Sequence, residues 1–129
     1  MKSILIIEDD ATVAEAVSFV LERNGYETTH VETGSRASEL LKKQHFCGAL
    51  IDVWLGSEDG LDVLARLRAD GNTLPVVIMS GGGPGHTLES VSTRADVLDA
   101  CAVLFKPFTD EELLDAVNRS CPDDSCAAD

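Results

Sequence analysis

The chain alternates between two kinds of apolar pattern. Short apolar runs at Ile4–Ile7, Ala49–Ile51, Val76–Met79 and Val103–Phe105 have no polar face and read as strands buried on both sides. Between them, apolar residues recur at helical spacing. Val13, Val17, Val20 and Leu21 form one stripe that Asn24-Gly25 stops. Ala37, Leu40 and Leu41 form a second between Gly34 and Lys43. Leu61, Val63, Leu64 and Leu67 form a third, opened by Gly60 and ended by Asp70-Gly71-Asn72. Tyr26–Val31 is β-prone but mostly polar, which predicts an edge strand. A Gly-rich stretch, Gly81–Gly85, precedes a fourth helix from about Thr87 to Leu98. Thr109 caps a fifth, Asp110 to Asn118, with Glu112 at the capping-box position. Strict alternation of this kind predicts an α/β fold of type (βα)5: five parallel strands with helices on both faces. Neither a repeat nor an interdomain linker interrupts it.

The polar residue that ends each buried run carries the candidate chemistry. Ile7 runs into Glu8, Asp9 and Asp10, Ile51 into Asp52, Met79 into Ser80, and Phe105 into Lys106-Pro107. In a parallel sheet all of these converge at the carboxyl edge, where open α/β sheets bind ligands. Glu8, Asp9 and Asp52 are then expected within a few ångströms of one another. Two like charges about 4 Å apart repel by roughly 4 kcal/mol at an effective dielectric near 20, so the three call for a cation. Hard oxygen ligands select Mg²⁺ or a similar ion, and such an ion also screens an incoming phosphoryl dianion. Asp52 needs no deprotonation to act as a nucleophile at neutral pH, and aspartyl phosphates are known covalent intermediates. Lys106 can pair with phosphoryl oxygens and Ser80 can donate a hydrogen bond to them. Each residue alone could be a helix or turn cap; four strand ends coinciding argue for a site.

Charge and composition narrow the partners. The 129 residues contain 10 Lys and Arg against 23 Asp and Glu, a net charge of −13. Such a surface repels nucleic-acid backbones and favours a basic protein surface or a bound cation. Hydrophobic content of 44% with 26% charged is ordinary for a globular domain. No run is long enough for a membrane span, and Met1-Lys2-Ser3 leads into only four apolar residues, so a cytoplasmic location is expected. The four cysteines, at 47, 101, 121 and 126, lack metal-ligand spacing. Reduced thiols are expected, with Cys47 and Cys101 as small buried residues at strand entries.

Glu8-Asp9, Asp52, Ser80 and Lys106-Pro107-Phe108, with the eight-residue step from Asp52 to Gly60, resemble the receiver domain of two-component response regulators over residues 3 to about 119. The resemblance implies a flavodoxin-like sheet of order 2-1-3-4-5 and no enzyme activity beyond phosphoryl acceptance. By it, Asp52 takes a phosphoryl group from a histidine kinase or histidine phosphotransfer protein. Asp9, Asp52 and the Trp54 main-chain carbonyl would ligate Mg²⁺, with Glu8 acting through water. Ser80 and Lys106 would sense the phosphoryl group, and the Lys106–Pro107 bond would be cis. The domain is expected to span residues 1–120, followed by a short acidic tail, 121–129.

The chain also departs from the family pattern. Gly56 stands where receivers usually have proline, and Val103 where they usually have an aromatic. Phe105 is expected on the opposite strand face and unable to substitute. The stretch from Ser80 to Lys106 is longer than usual, which suggests signalling through the Gly81–Gly85 loop and the helix after it. His86, beside that loop, is expected to face solvent. Phe19 lies off the first helix's apolar stripe and is a candidate partner contact. A haloacid-dehalogenase-type phosphatase would need a second acid where Trp54 stands, and a flavodoxin-type FMN module would meet repulsion from Glu8, Asp9 and Asp10. The expected role is a stand-alone regulator acting by protein–protein contact. The alternatives are the receiver half of a transcription factor, or a phosphate sink or shuttle.

Overall fold

The computed structural model describes residues 2–81 and 87–121. The Gly-rich positions 82–85, His86 and the tail from residue 122 lie outside the described residues. Elements follow in strict alternation: β1 (Lys2–Ile7), α1 (Ala11–Glu22), β2 (Tyr26–Val31), α2 (Gly34–Lys43), β3 (Gly48–Asp52), α3 (Gly60–Ala69), β4 (Val76–Ser80), α4 (Leu88–Val97), β5 (Ala102–Phe105) and α5 (Asp110–Ser120). The five strands form one parallel sheet of order β2-β1-β3-β4-β5, and β2 is an edge strand as its polar pattern predicts.

Two apolar layers hold the helices to the sheet. On one face Leu5, Ile7, Ile51 and Ile78 pack with Leu61, Leu64 and Leu67 of α3 and with Val91 and Ala95 of α4. On the other, Ile4, Ile6, Leu50 and Met79 pack with Val17 and Leu21 of α1 and Leu113 and Val117 of α5. The alternation of strand residues between the layers is the two-residue period of a strand. Fully burying a side chain such as Leu50 contributes about 1.5–3 kcal/mol.

Helix starts follow their side chains. Asp10 accepts from the Thr12 and Val13 amides to begin α1, and Asp59 accepts from Leu61 to begin α3. Thr109 and Glu112 form the expected reciprocal box on α5. Thr87 does the same on α4, with Ser90 as its partner.

Three expectations are corrected. Val103 and Phe105 both pack against the layer that holds α3 and α4. They differ by two positions, one strand period, so they share a face and Phe105 is not turned away from it. Cys101 stands at the entry to β5, its amide donating to the Val76 carbonyl at 2.7 Å, but it is exposed rather than buried. Cys101 and Cys121 are free thiols, whereas Cys47 is disulfide-bonded, so the expectation of reduced thiols fails at Cys47. No helix among the described residues is long and apolar enough to cross a membrane.

Candidate functional site

The sheet delivers three of the expected residues into a buried cluster. Glu8, Asp52 and Ser80 are 1%, 4% and 1% exposed, depths at which polar groups need partners. Lys106 supplies them for the two acids: its Nζ lies 2.6 Å from Asp52 Oδ2 and 3.4 Å from Glu8 Oε1. The other oxygen of Asp52 accepts from the Trp54 amide at 2.8 Å, and Glu8 Oε2 accepts from the Asp10 amide at 3.3 Å. Ser80 is joined to this corner through the backbone, its carbonyl accepting from the Lys106 amide at 2.7 Å. The Lys106–Pro107 bond is cis, as expected.

One ammonium does not balance two buried carboxylates. Burial, the hydrogen bond to Asp52 and that residue's charge push Glu8 up to about 8, against a smaller opposing pull from Lys106. Burial draws Lys106 down, but the hydrogen bond and charge of Asp52, reinforced by Glu8, outweigh it and hold the amine above its ordinary value. With both acids ionised the cluster would have a deficit of positive charge, and Glu8 meets it by holding its proton near neutral pH. That deficit is the feature of this structure that fits a bound divalent cation.

Asp9 is placed differently from its neighbours. It is exposed at the mouth of the site, with its carboxylate against Gly56, where a Cβ would come within 2.9 Å of Oδ2. Among the described residues, no three acidic, histidine or cysteine groups stand together as a ligand set. The expected cluster of Glu8, Asp9 and Asp52 is thus a buried pair plus one acid at the rim. Asp10 belongs to neither, because capping α1 occupies its side chain. The residues that could hold a cation are Asp52, Asp9 and the Trp54 carbonyl, with Glu8 behind them.

The loop after β3 explains two glycines. At Gly60 an added Cβ would lie 2.0 Å from the Asp52 carbonyl oxygen, and its amide donates to Val53 at 2.7 Å. Only glycine lets α3 start this close to the acceptor strand. Gly56 has φ +72, a conformation closed to proline, so the usual receiver residue could not stand here without rebuilding the loop.

A family model, response regulator receiver domain, matches residues 4–118. The chain belongs to the response regulator receiver family. It is 35% identical over 127 residues to the response regulator MprA of Mycolicibacterium vanbaalenii, covering 94% of this chain and 52% of that protein. It is 36% identical over 110 residues to the transcriptional regulatory protein BasR of Escherichia coli, covering 85% and 48%. The chain thus spans about half the length of these curated relatives. Among solved structures, a putative response regulator from Chloroflexus aurantiacus superposes with a TM-score of 0.81 at 30% identity, covering 93% of this chain and 97% of that one. The fold and membership in two-component signalling follow.

Some contacts around the receiver site escaped sequence reasoning. His30 Nε2 lies 2.6 Å from the Glu8 main-chain oxygen, tying the end of β2 to the acidic turn. Parallel pairing of β1 with β2 was the signal that could have found it, since Ile6 lies opposite His30. Glu58 Oε2 accepts from the Gly34 amide at 2.9 Å and Oε1 pairs with Arg66 at 2.7 Å. The Gly34 bond is the main reason its carboxyl sits below the ordinary range. No local pattern announces that contact.

Proposed function

We propose that this receiver accepts a phosphoryl group on Asp52 from the phosphohistidine of a histidine kinase or histidine phosphotransfer protein, with Mg²⁺, and signals by protein–protein contact. The observation that carries the reading is the pairing of one buried, amide-held aspartate with one lysine at a sheet edge short of positive charge. When bound at Asp9, Asp52 and the Trp54 carbonyl, with Glu8 through water, Mg²⁺ would screen these acids from the incoming dianion.

The chain's own residues do the rest. The Trp54 amide fixes Asp52 Oδ1, which orients the carboxylate. An Asp52 oxygen attacks phosphorus, the phosphorus–nitrogen bond to the donor imidazole breaks, and the imidazole leaves with its electron pair. Lys106 Nζ transfers its pairing from the carboxylate to a phosphoryl oxygen, and the Ser80 hydroxyl donates to another. The test is transfer of label from a panel of phosphorylated histidine kinases and phosphotransfer proteins. Labelling by at least one donor, lost in Asp52→Asn, is expected; equal labelling of the variant would contradict the assignment.

We take residues 1–120 as the signalling unit, with 121–129 as a short acidic tail. One observation favours a second reading, a receiver within a longer transcription regulator: the chain spans 52% and 48% of two curated relatives, one of which is a transcriptional regulatory protein. Phe19 on α1 is 60% exposed and lines an open groove of about 490 Å³ with Glu15, Glu22 and His30. This face is proposed as the donor's docking surface.

A further inference from the structure

Two consecutive acids in the loop after β3 reach to opposite sides. Glu58 ties it to the start of α2, and Asp59 ties it to α4. Asp59 caps α3 through Oδ1 while its Oδ2 lies 3.1 Å from Arg94 Nη1. Arg94 Nη2 reaches Asp62 Oδ1, one turn on, at 3.0 Å. Asp59 also forms an isolated antiparallel bridge with Trp54, whose amide holds Asp52. Asp52, Trp54, Asp59 and Arg94 therefore run from the acceptor to α4, with the middle step made by the main-chain bonds of their neighbours, Leu55 to Glu58 and Gly60 to Val53.

The helix at the end of this series is lightly held. Only Val91 and Ala95 of α4 are buried, and Leu88 and Val97 are 64% and 76% exposed. With so small an apolar anchor, the two ion bridges add to what fixes the helix position. The β3–α3 loop turns on Gly56 and is closed by main-chain bonds from Leu55 to Glu58 and from Gly60 to Val53, which hold Asp59 in place to reach Arg94.

We propose that Arg94 is a latch that holds α4 to the head of α3 in the free protein, and that charging Asp52 releases it through the Trp54–Asp59 bridge. The proposal rests on Asp52 being the acceptor. A latch present in only one of two states biases the equilibrium between them, and the coupling is reciprocal: loosening it favours whatever binds the other state.

The test uses Arg94→Met, which keeps the aliphatic stem, with beryllofluoride plus Mg²⁺ as phosphoryl mimic. Arg94 and Asp62 side chains are 41% and 61% exposed, so the effect is modest. We expect amide exchange over residues 88–98 of the free protein to rise about two- to fivefold, and mimic affinity to rise by a similar factor. Asp62→Asn, which removes one arm, should shift both quantities less, in the same direction. Arg36→Met, which breaks an exposed pair within α2, should shift neither. Unchanged exchange in α4, or faster exchange with unchanged mimic affinity, would reduce Arg94 to an ordinary surface ion pair and overturn the latch. Failure of the wild-type protein to bind the mimic is a separate result: it would remove Asp52 as the acceptor, and the latch with it.

Discussion

The two edges of the sheet handle charge in opposite ways. At the amino edge, Arg68 spends its guanidinium on main-chain oxygens: Leu98 at 2.8 Å, Leu74 at 2.8 Å, Asn72 at 3.2 Å and Asp99 at 3.1 Å. One cation thereby staples the entrances to β4 and β5, and satisfied polar groups leave nothing there to react. At the carboxyl edge, Lys106 is set against two buried acids, one of which is driven to hold its proton near neutral pH. Saturated hydrogen bonding stabilises a structure, whereas an unbalanced charge creates a binding site at the cost of stability.

The sharpest way to break the comparison is steric. Gly60→Ala forces a Cβ to within 2.0 Å of the Asp52 carbonyl, a backbone contact that no rotamer relieves. We expect a loss of about 3 kcal/mol in urea unfolding, with poor acceptor activity in whatever folds. A loss below about 1 kcal/mol would mean that α3 can slide away from β3.

Arg68→Ala should cost about 2 kcal/mol, because it strands main-chain oxygens at the stapled edge. Acceptor activity per folded molecule should be unchanged. Equal damage to activity and stability would erase the division between the edges.

Glu8→Gln tests the strained edge by pH. The folded carboxyl titrates near 8 and an ordinary one at 4.5. The unfolded chain therefore loses its proton first as pH rises. Glu8's contribution is fully present below 4.5, declines through the window between, and is lost above about 8. The Gln variant should match wild type at pH 5 to within about 0.5 kcal/mol and overtake it by pH 9. Parallel midpoints at both pH values would show that Glu8 is not under strain.

Phe19→Ala is the mildest perturbation. Its ring is 60% exposed and stacked under Arg23 at 5.4 Å, so stability should change by less than about 0.5 kcal/mol. Transfer from the cognate kinase should slow several-fold, and an unchanged rate would remove α1 as the docking surface.

How far the sequence could be read depended on the range of the interaction. The apolar runs located four of the five strands, because burial on both faces leaves no other pattern, whereas β2 was read from its β-prone polar residues instead. The residue ending each run located Glu8, Asp52, Ser80 and Lys106. Caps were legible where the partner lies three positions away, as for Thr109 and Glu112. The reading failed where distance in the fold decides. Asp9 and Asp10 look equivalent to Glu8 in the chain, yet one turns to the rim and the other caps α1. The Glu58–Gly34 and Arg94–Asp59 contacts join residues 24 and 35 positions apart, set by helix placement rather than local pattern. Phe105 is the instructive error, since strand periodicity alone places it on the face of Val103.

The central claim, that Asp52 is the acceptor at an edge short of positive charge, is tested most directly with a small-molecule donor. The protein is incubated with acetyl phosphate and Mg²⁺, and the adduct is mapped by mass spectrometry after borohydride trapping. The account predicts a single phosphoryl group on Asp52, absent when Mg²⁺ is chelated and absent in Asp52→Asn. Undiminished phosphorylation of that variant, or labelling that survives removal of the metal, would contradict it.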